Sequence, residues 1–294
     1  MNKIILFALM WALLPLKGRC GVFIDDLRTV PVLIQIPSPN NSSVHYGTGV
    51  YLYNSNSVFF VTAAHCLFDF SSTNFTQLMG SNALLTSLVR GTNLNNRSLL
   101  SVNLDNCLRD GLIKRHLIHD IAVIKLGSCK TITNSVLKLT TYRTDLVSFP
   151  TSNSDFVMGN ITDICKSFND VSEGSDSYVM GYPVSLISSR TGEIDFSAPL
   201  IRRGIISQKN QITKKLIIDS AVFGGNSGGP VLTEENPSLT ETKFQLVGII
   251  TQYVPIITTV DLSLGVTNTA LVNSGYGVAE PIDYALELIE QFPN

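Results

Sequence analysis

Ser227 stands in the run "AVFGGNSGGPV" (221–231), among four glycines and a proline. Gly, Asn, Ser and Pro are the usual turn residues, so the run taken alone describes a surface turn. The same composition also suits a nucleophile on a strained loop, with backbone N–H groups turned towards a substrate. A serine hydroxyl is a weak nucleophile at neutral pH and needs a general base within hydrogen-bond reach, most often histidine. The chain has four histidines, His45, His65, His116 and His119, and all precede Ser227.

That order separates two chemistries. "GNSGG" also fits the G-x-S-x-G elbow of α/β-hydrolases, whose order is Ser, acid, His, in a strand–turn–helix setting. With no histidine after Ser227, that arrangement is excluded. The remaining order is His, Asp, Ser. His65 ends the apolar run "VFFVTAAHCLF", and Asp120 heads "HDIAVIKL". An aspartate there can accept the imidazole Nδ1–H, fix the tautomer and stabilise the imidazolium. His119 is its neighbour, and adjacent residues of a strand point to opposite faces, so both cannot face one site. His45 and His116 are read as surface residues.

Such groups need a rigid scaffold. Short apolar, β-branched runs with turn residues between them predict strands at 29–36, 49–53, 57–63, 121–126, 177–182, 203–207, 215–220 and 245–251. Only "EPIDYALELIEQ" reads as helix, with Ile282, Ala285, Leu286 and Ile289 at i, i+3, i+4, i+7 and Pro281 in the first turn. Many short strands with Gly- and Asn-rich turns predict an all-β barrel or sandwich. Residues 143–176 are polar and weakly periodic and read as the connection between two halves, 21–142 and 177–294. Residues 71–98, rich in Asn and Ser, read as long surface loops.

Composition narrows the rest. Charged residues are 15% of the 294, below the usual quarter, and the net charge is −2 with Lys and Arg scattered, so no nucleic-acid partner is expected. Residues 1–20, "MNKIILFALMWALLPLKGRC", carry a basic start and an apolar run too short to span a bilayer, the pattern of a signal peptide. Its removal takes away three basic residues, moving the net charge from −2 to −5. The expectation is a secreted or periplasmic protein with no stable membrane span after cleavage. Export permits disulfides among Cys66, Cys107, Cys129 and Cys165. Their spacing forms no Cys/His cluster, so neither a metal nor a cofactor is expected. Asn-x-Ser/Thr acceptors occur at Asn40, Asn41, Asn74, Asn96 and Asn160.

"TAAHC", "DIAVIKL" and "GNSGGP", in that order, resemble the trypsin/chymotrypsin-like serine peptidases. "VMGYP", "RRGIIS", "IDSAVFGGNSGGPV", "LVGIIT" and "GYGVAEPIDYALELI" are similar to the protease domain of the high-temperature-requirement type. The resemblance spans roughly 30–292, and no PDZ-like segment follows. It implies two Greek-key β-barrels of the chymotrypsin type with a C-terminal helix. His65 and Asp120 then lie on the first barrel and Ser227 on the second. It implies a secreted endopeptidase in which Ser227 attacks a peptide carbonyl, His65 transfers the proton and Asp120 orients His65, with the N–H groups of Gly225 and Ser227 holding the oxyanion.

Further expectations follow from that resemblance. Thr251 would help satisfy Asp120. Ala221 stands where trypsin-type enzymes carry a pocket-floor aspartate, so a buried cationic side chain would lack a partner. An apolar or small side chain is expected instead, in a pocket shaped by Ala221, Val222, Thr251, Gln252, Tyr253 and Gly277. Cys66 lacks the usual partner on the preceding strand, and Cys107 with Cys129, bracketing the Asp120 strand, is the expected pair. In trypsin-like zymogens the residue before the serine is an aspartate that pairs with a freed amino terminus. Here it is Asn226, and no Arg then Ile-Val-Gly-Gly precedes "VPVLIQIP", so that switch is expected to be missing. The partners would be protein or peptide substrates. The alternatives are a catalytically silent homologue acting as a binding module, and an esterase on the same scaffold.

Overall fold

The computed structural model describes residues 27–293, except 40–42, 55, 71–76, 90–96, 133–135, 142, 150–156, 190–193, 196, 239–240 and 263–265. The apolar leader at 1–20 lies outside the described residues.

The first half is built from β1 (Pro31–Pro37), β2 (Val44–Tyr53), β3 (Ser57–Thr62), β4 (Asn82–Leu88), β5 (Arg97–Asn103), β6 (Ile113–Arg115), β7 (Ala122–Ile132), β8 (Val136–Thr141), β9 (Val147–Ser148) and β10 (Gly159–Asn160). They form one curled sheet in the order β6-β7-β3-β2-β1-β4-β5-β9, with β8 on β7 and β10 on β2. The second half contributes β11 (Asp176–Gly181), β12 (Leu200–Asn210), β13 (Lys215–Asp219), β14 (Pro230–Ser238), β15 (Glu241–Leu262) and β16 (Val266–Pro281). These close into a barrel in the order β11-β12-β13-β16-β15-β14. Helix α1 (Leu104–Arg109) follows β5, α2 (Ile161–Ile164) follows β10, and α3 (Asp283–Glu290) ends the chain. The fold is the chymotrypsin-like all-β arrangement with a C-terminal helix.

Period-2 geometry explains why β2, β3 and β7 read as nearly unbroken apolar runs. In β3, Val58 and Phe60 face the core of the first sheet. Phe59 and Val61 face the other way, into a cluster shared with Met180, Leu232 and Ile249 of the second barrel and Ala285, Leu288 and Ile289 of α3. All six residues of β3 are therefore buried. A separate cluster, including Val179, Ile218, Val231, Val247 and Ile250, fills the second barrel. The connection is fastened to the closing helix: the Ser167 hydroxyl and the Phe168 N–H both donate to the Asp283 carboxylate, at 2.7 and 2.9 Å.

Three expectations change. The stretch at 71–98 is not loop throughout, because β4 crosses it, burying Ala83 and Leu85 between β1 and β5. Cys107 is a free thiol inside the first core, its Sγ 3.9 Å from the Leu146 carbonyl, so it forms no pair with Cys129. Cys66 and Cys165 are free as well. His116 is half-buried rather than free on the surface: its ring lies against His119 and Tyr284, and its Nδ1 accepts the N–H groups of Ile118 and His119. Burial and the neighbouring His119 push its imidazole below the ordinary range. Among the described residues no helix is long and apolar enough to cross a membrane, and no group of three His, Cys, Asp or Glu could hold a metal.

Candidate active site

His65 occupies a 3-10 turn, Ala64–Cys66, that breaks away from β3. The turn is tied to the bend before β7 by three contacts. The Ala64 N–H donates to the Asp120 carbonyl at 3.3 Å, the His65 N–H to Asp120 Oδ1 at 2.9 Å, and His65 Nδ1–H to Asp120 Oδ2 at 2.6 Å. A carboxylate can only accept, so the Nδ1 proton is fixed and Nε2 is left with its lone pair. Burial pushes the imidazole down, but the bond to Asp120 and the adjacent Cys66 thiol push it up further, and the net result lies above the ordinary 6.5. The Phe70 ring stands edge-on to the imidazole, with centroids 6.3 Å apart.

Asp120 is held from behind by its neighbour. His119 lies with Asp120 in the bend before β7, not in a strand as expected, and its Nδ1 meets Glu280 Oε2 at 2.8 Å. Its ring stacks on Tyr284 at 3.5 Å. Glu280 is fully buried and also meets Lys215 Nζ at 2.9 Å. The loop carrying Asp120 is thereby fixed to β13, β16 and α3.

Ser227 follows a tight turn and is half-buried. Thr48 on β2 organises the loop around it. The Thr48 N–H donates to the Ser227 carbonyl at 2.7 Å, and its hydroxyl donates to the Gly225 carbonyl at 2.7 Å. That hydroxyl accepts the Tyr182 N–H at 3.1 Å, while the Thr48 carbonyl accepts the Thr62 hydroxyl at 2.6 Å. The Cys66 thiol also donates to the Ser227 carbonyl, at 3.5 Å. The loop carrying Ser227 is thus anchored to the residue beside His65. The Gly224 carbonyl accepts the Ser185 N–H and the Asn226 carbonyl the Gly229 N–H. Across trans peptide planes, this turns the N–H groups of Gly225 and Ser227 away from those contacts.

Two glycines make this packing possible. Gly225 has φ +98° and Gly228 has φ +84°, a region other residues rarely adopt. A Cβ on Gly228 would lie 1.9 Å from the Thr48 carbonyl oxygen and 2.1 Å from Thr62 Oγ1. Gly228→Ala is expected to cost on the order of 3–5 kcal/mol from backbone strain and overpacking. A calorimetric scan should show Tm lower by roughly 10 °C; an unchanged Tm would mean the two halves do not meet at Thr48.

Asn226 is fully buried beneath the loop. Its Oδ1 accepts the Phe223 N–H at 3.1 Å and Arg202 Nη1 at 3.2 Å, and its N–H donates to the Phe223 carbonyl at 2.9 Å. The Arg202 guanidinium lies over the Phe223 ring, 4.9 Å from its centroid, and burial lowers its pKa. Neither Thr48 nor Arg202 was singled out from sequence. The glycines flanking Thr48 were the available signal: a Cβ on Gly47 would lie 2.6 Å from Cys66 Sγ.

The expected pocket residues divide. Val222 is buried and fills the space above Gly277, where a Cβ would meet Val222 Cγ2 at 2.5 Å. Ala221 is half-buried, and Gln252 and Tyr253 are exposed. Thr251 is buried, but its hydroxyl donates to the Val278 carbonyl at 3.5 Å. Among the described residues the Asp120 carboxylate is bonded by His65 and not by Thr251, so the expected Thr251–Asp120 contact is replaced.

The family described as a trypsin-like peptidase domain matches residues 47–237. Among solved structures, the chain is similar to the HtrA-type protease AlgW with tripeptide, at 15% identity and a TM-score of 0.46, covering 92% of this chain and 62% of that one. It is also similar to the serine endoprotease from Yersinia pestis, at 17% identity and a TM-score of 0.47, covering 92% and 65%. The chain therefore spans less than two thirds of the length of those proteins. No curated protein matches it in sequence.

Proposed function

Because this chain belongs to the trypsin-like peptidase family, we propose that it is a serine endopeptidase working through an acyl-enzyme on Ser227. The observation that carries this reading is Asp120, which holds His65 by backbone and ring together and leaves Nε2 to accept a proton. Ser227 Oγ bonds to the substrate carbonyl carbon as its proton passes to His65 Nε2. The carbonyl electron pair moves onto oxygen, opposite the N–H groups of Gly225 and Ser227. Collapse breaks the C–N bond, and the amine leaves with the proton from His65. Water then attacks the ester by the same steps in reverse.

Small or apolar substrate side chains are favoured, since the buried Val222 packs on Gly277 and Ala221 offers no counter-charge. The leader composition supports an extracytoplasmic site of action. A fluorophosphonate probe on the purified protein tests the reading. Stoichiometric modification of the peptide containing Ser227 is expected; a folded, unlabelled protein would instead be a silent homologue.

No freed amino terminus is needed to shape this oxyanion loop. Arg202 supplies a cation from within the fold, bonded to Asn226 and stacked on Phe223. Arg202→Met is expected to slow fluorophosphonate labelling and kcat about tenfold or more, with KM little changed, as a hydrogen bond to a charged group is lost. Asn226→Asp, which places a carboxylate beside the guanidinium, is expected to fold and label. Combined with Arg202→Met it should lose about 3–5 kcal/mol of stability, because the buried carboxylate is left unpaired. Arg202→Met labelling at the wild-type rate would remove Arg202 from this role.

A further inference from the structure

β15 and β16 outrun the barrel they belong to. Ladder pairing of β15 with β14 ends at Ile249, and that of β16 with β13 ends at Tyr276. The two strands go on pairing with each other from Pro255–Asn273 to Leu262–Val266. At about 3.3 Å per residue, the ribbon from Gln252 to Leu262 reaches roughly 30 Å. Among the described residues neither of its outer edges is paired with another strand.

The ribbon is apolar on both sides. Ile256 faces Val272 across the ladder and Ile257 faces Leu271, and successive pairs point to opposite faces. Ile257 is 68% exposed and Leu271 65%, with Ile256 and Val272 about half exposed. Residues 252–259 and 269–276 contain no charged side chain. A lone two-stranded ribbon is marginal in water, and clustered exposed apolar residues mark a surface that something covers.

The root of the ribbon is bonded to the segment carrying Ser227. The Ile250 N–H donates to the Gly229 carbonyl at 2.8 Å, and the Gly228 N–H to the Ile250 carbonyl at 2.6 Å. Asn273 Nδ2 donates to the Val222 carbonyl at 2.6 Å. Both strands thus rise directly from the nucleophile loop. A chain lying antiparallel to β15 runs down the ribbon and reaches Ser227 with its carboxyl-terminal direction. Pro255 lacks an N–H and interrupts any ladder there, so beyond it the contact is made by side chains.

Resting on the endopeptidase reading, we propose that this ribbon is an exosite for the substrate segment amino-terminal to the scissile bond. The segment it fits is extended, uncharged and apolar, as exposed in unfolded polypeptides.

The test compares two uncharged peptides with the same residues around the scissile bond, one of them extended by six apolar residues on its amino-terminal side. The extended peptide is expected to have kcat/KM about tenfold higher, mainly through KM. Ile257→Ser/Leu271→Ser should erase the advantage without changing turnover of the short peptide. Ile256→Ser/Val272→Ser does the same for the opposite face and provides an independent variant should the first misfold. Equal rates for the two wild-type peptides, or an advantage surviving both double variants, overturn the proposal. Sedimentation showing a dimer that both double variants dissociate would assign the ribbon to a second copy and also overturn it. Failure of the wild type on both peptides and with the fluorophosphonate defeats the underlying endopeptidase reading instead.

Discussion

Replacing Ser227 by alanine is expected to lower kcat on a peptide substrate by about six orders of magnitude. The fold should survive, because the structural bonds of this residue run through its carbonyl. Thr48 N–H and the Cys66 thiol donate to that oxygen, and alanine keeps it. Only the hydroxyl, and with it the covalent step, is removed. Calorimetry should show a Tm within a few degrees of wild type beside complete loss of fluorophosphonate labelling. A Ser227→Ala protein that still turned over peptide would place the nucleophile elsewhere.

Asp120→Asn is expected to cost kcat roughly 10⁴-fold by a different route. The His65 backbone N–H needs an acceptor at Oδ1, so the amide oxygen of the replacement takes that place. Its NH₂ group then faces His65 Nδ1 and can only donate. The ring proton is forced onto Nε2, where a lone pair is required. The pH profile gives a second readout. Only neutral His65 accepts the serine proton, so kcat/KM rises as pH passes its pKa. Despite the opposing effect of burial, Asp120 and Cys66 hold that pKa above 6.5, and the wild-type acid limb should lie on the alkaline side of that value. Without the carboxylate the imidazolium loses support, and the limb should move to lower pH. A limb that stays in place would mean that Asp120 does not govern the protonation of His65.

The three short motifs that raised this chemistry were legible because each packs its signal into a few neighbouring residues. Chain order alone removed the hydrolase alternative. The strands were legible wherever burial on both faces made the run continuous, as in β3. β4 was hidden because "NALLTSL" mixes polar and apolar residues amid Asn and Ser. Thr48 and Arg202 were hidden for another reason. Their roles come from partners far along the chain, Gly225 being 177 residues from Thr48 and Asn226 being 24 from Arg202. Locally, only the glycines on either side of Thr48 mark it, and nothing marks Arg202. The Cys107–Cys129 expectation treated cysteine positions as staples, whereas Cys107 packs as a small apolar side chain in the core.

The joint at Thr48 also bears on biosynthesis. The carboxylate–imidazole pair belongs to the earlier half of the chain, and Ser227, the nucleophile on the reading proposed above, to the later half. Phe59 and Val61 share their cluster with Met180, Leu232 and Ile249 and with the closing helix, so part of their cover arrives only with that later half. A nascent chain released early therefore presents an apolar surface and, on that reading, would lack its nucleophile. On the endopeptidase reading, proteolytic competence would be assembled by the same docking event that completes folding, and the cell that makes this protein would meet an active protease only after the two halves have docked.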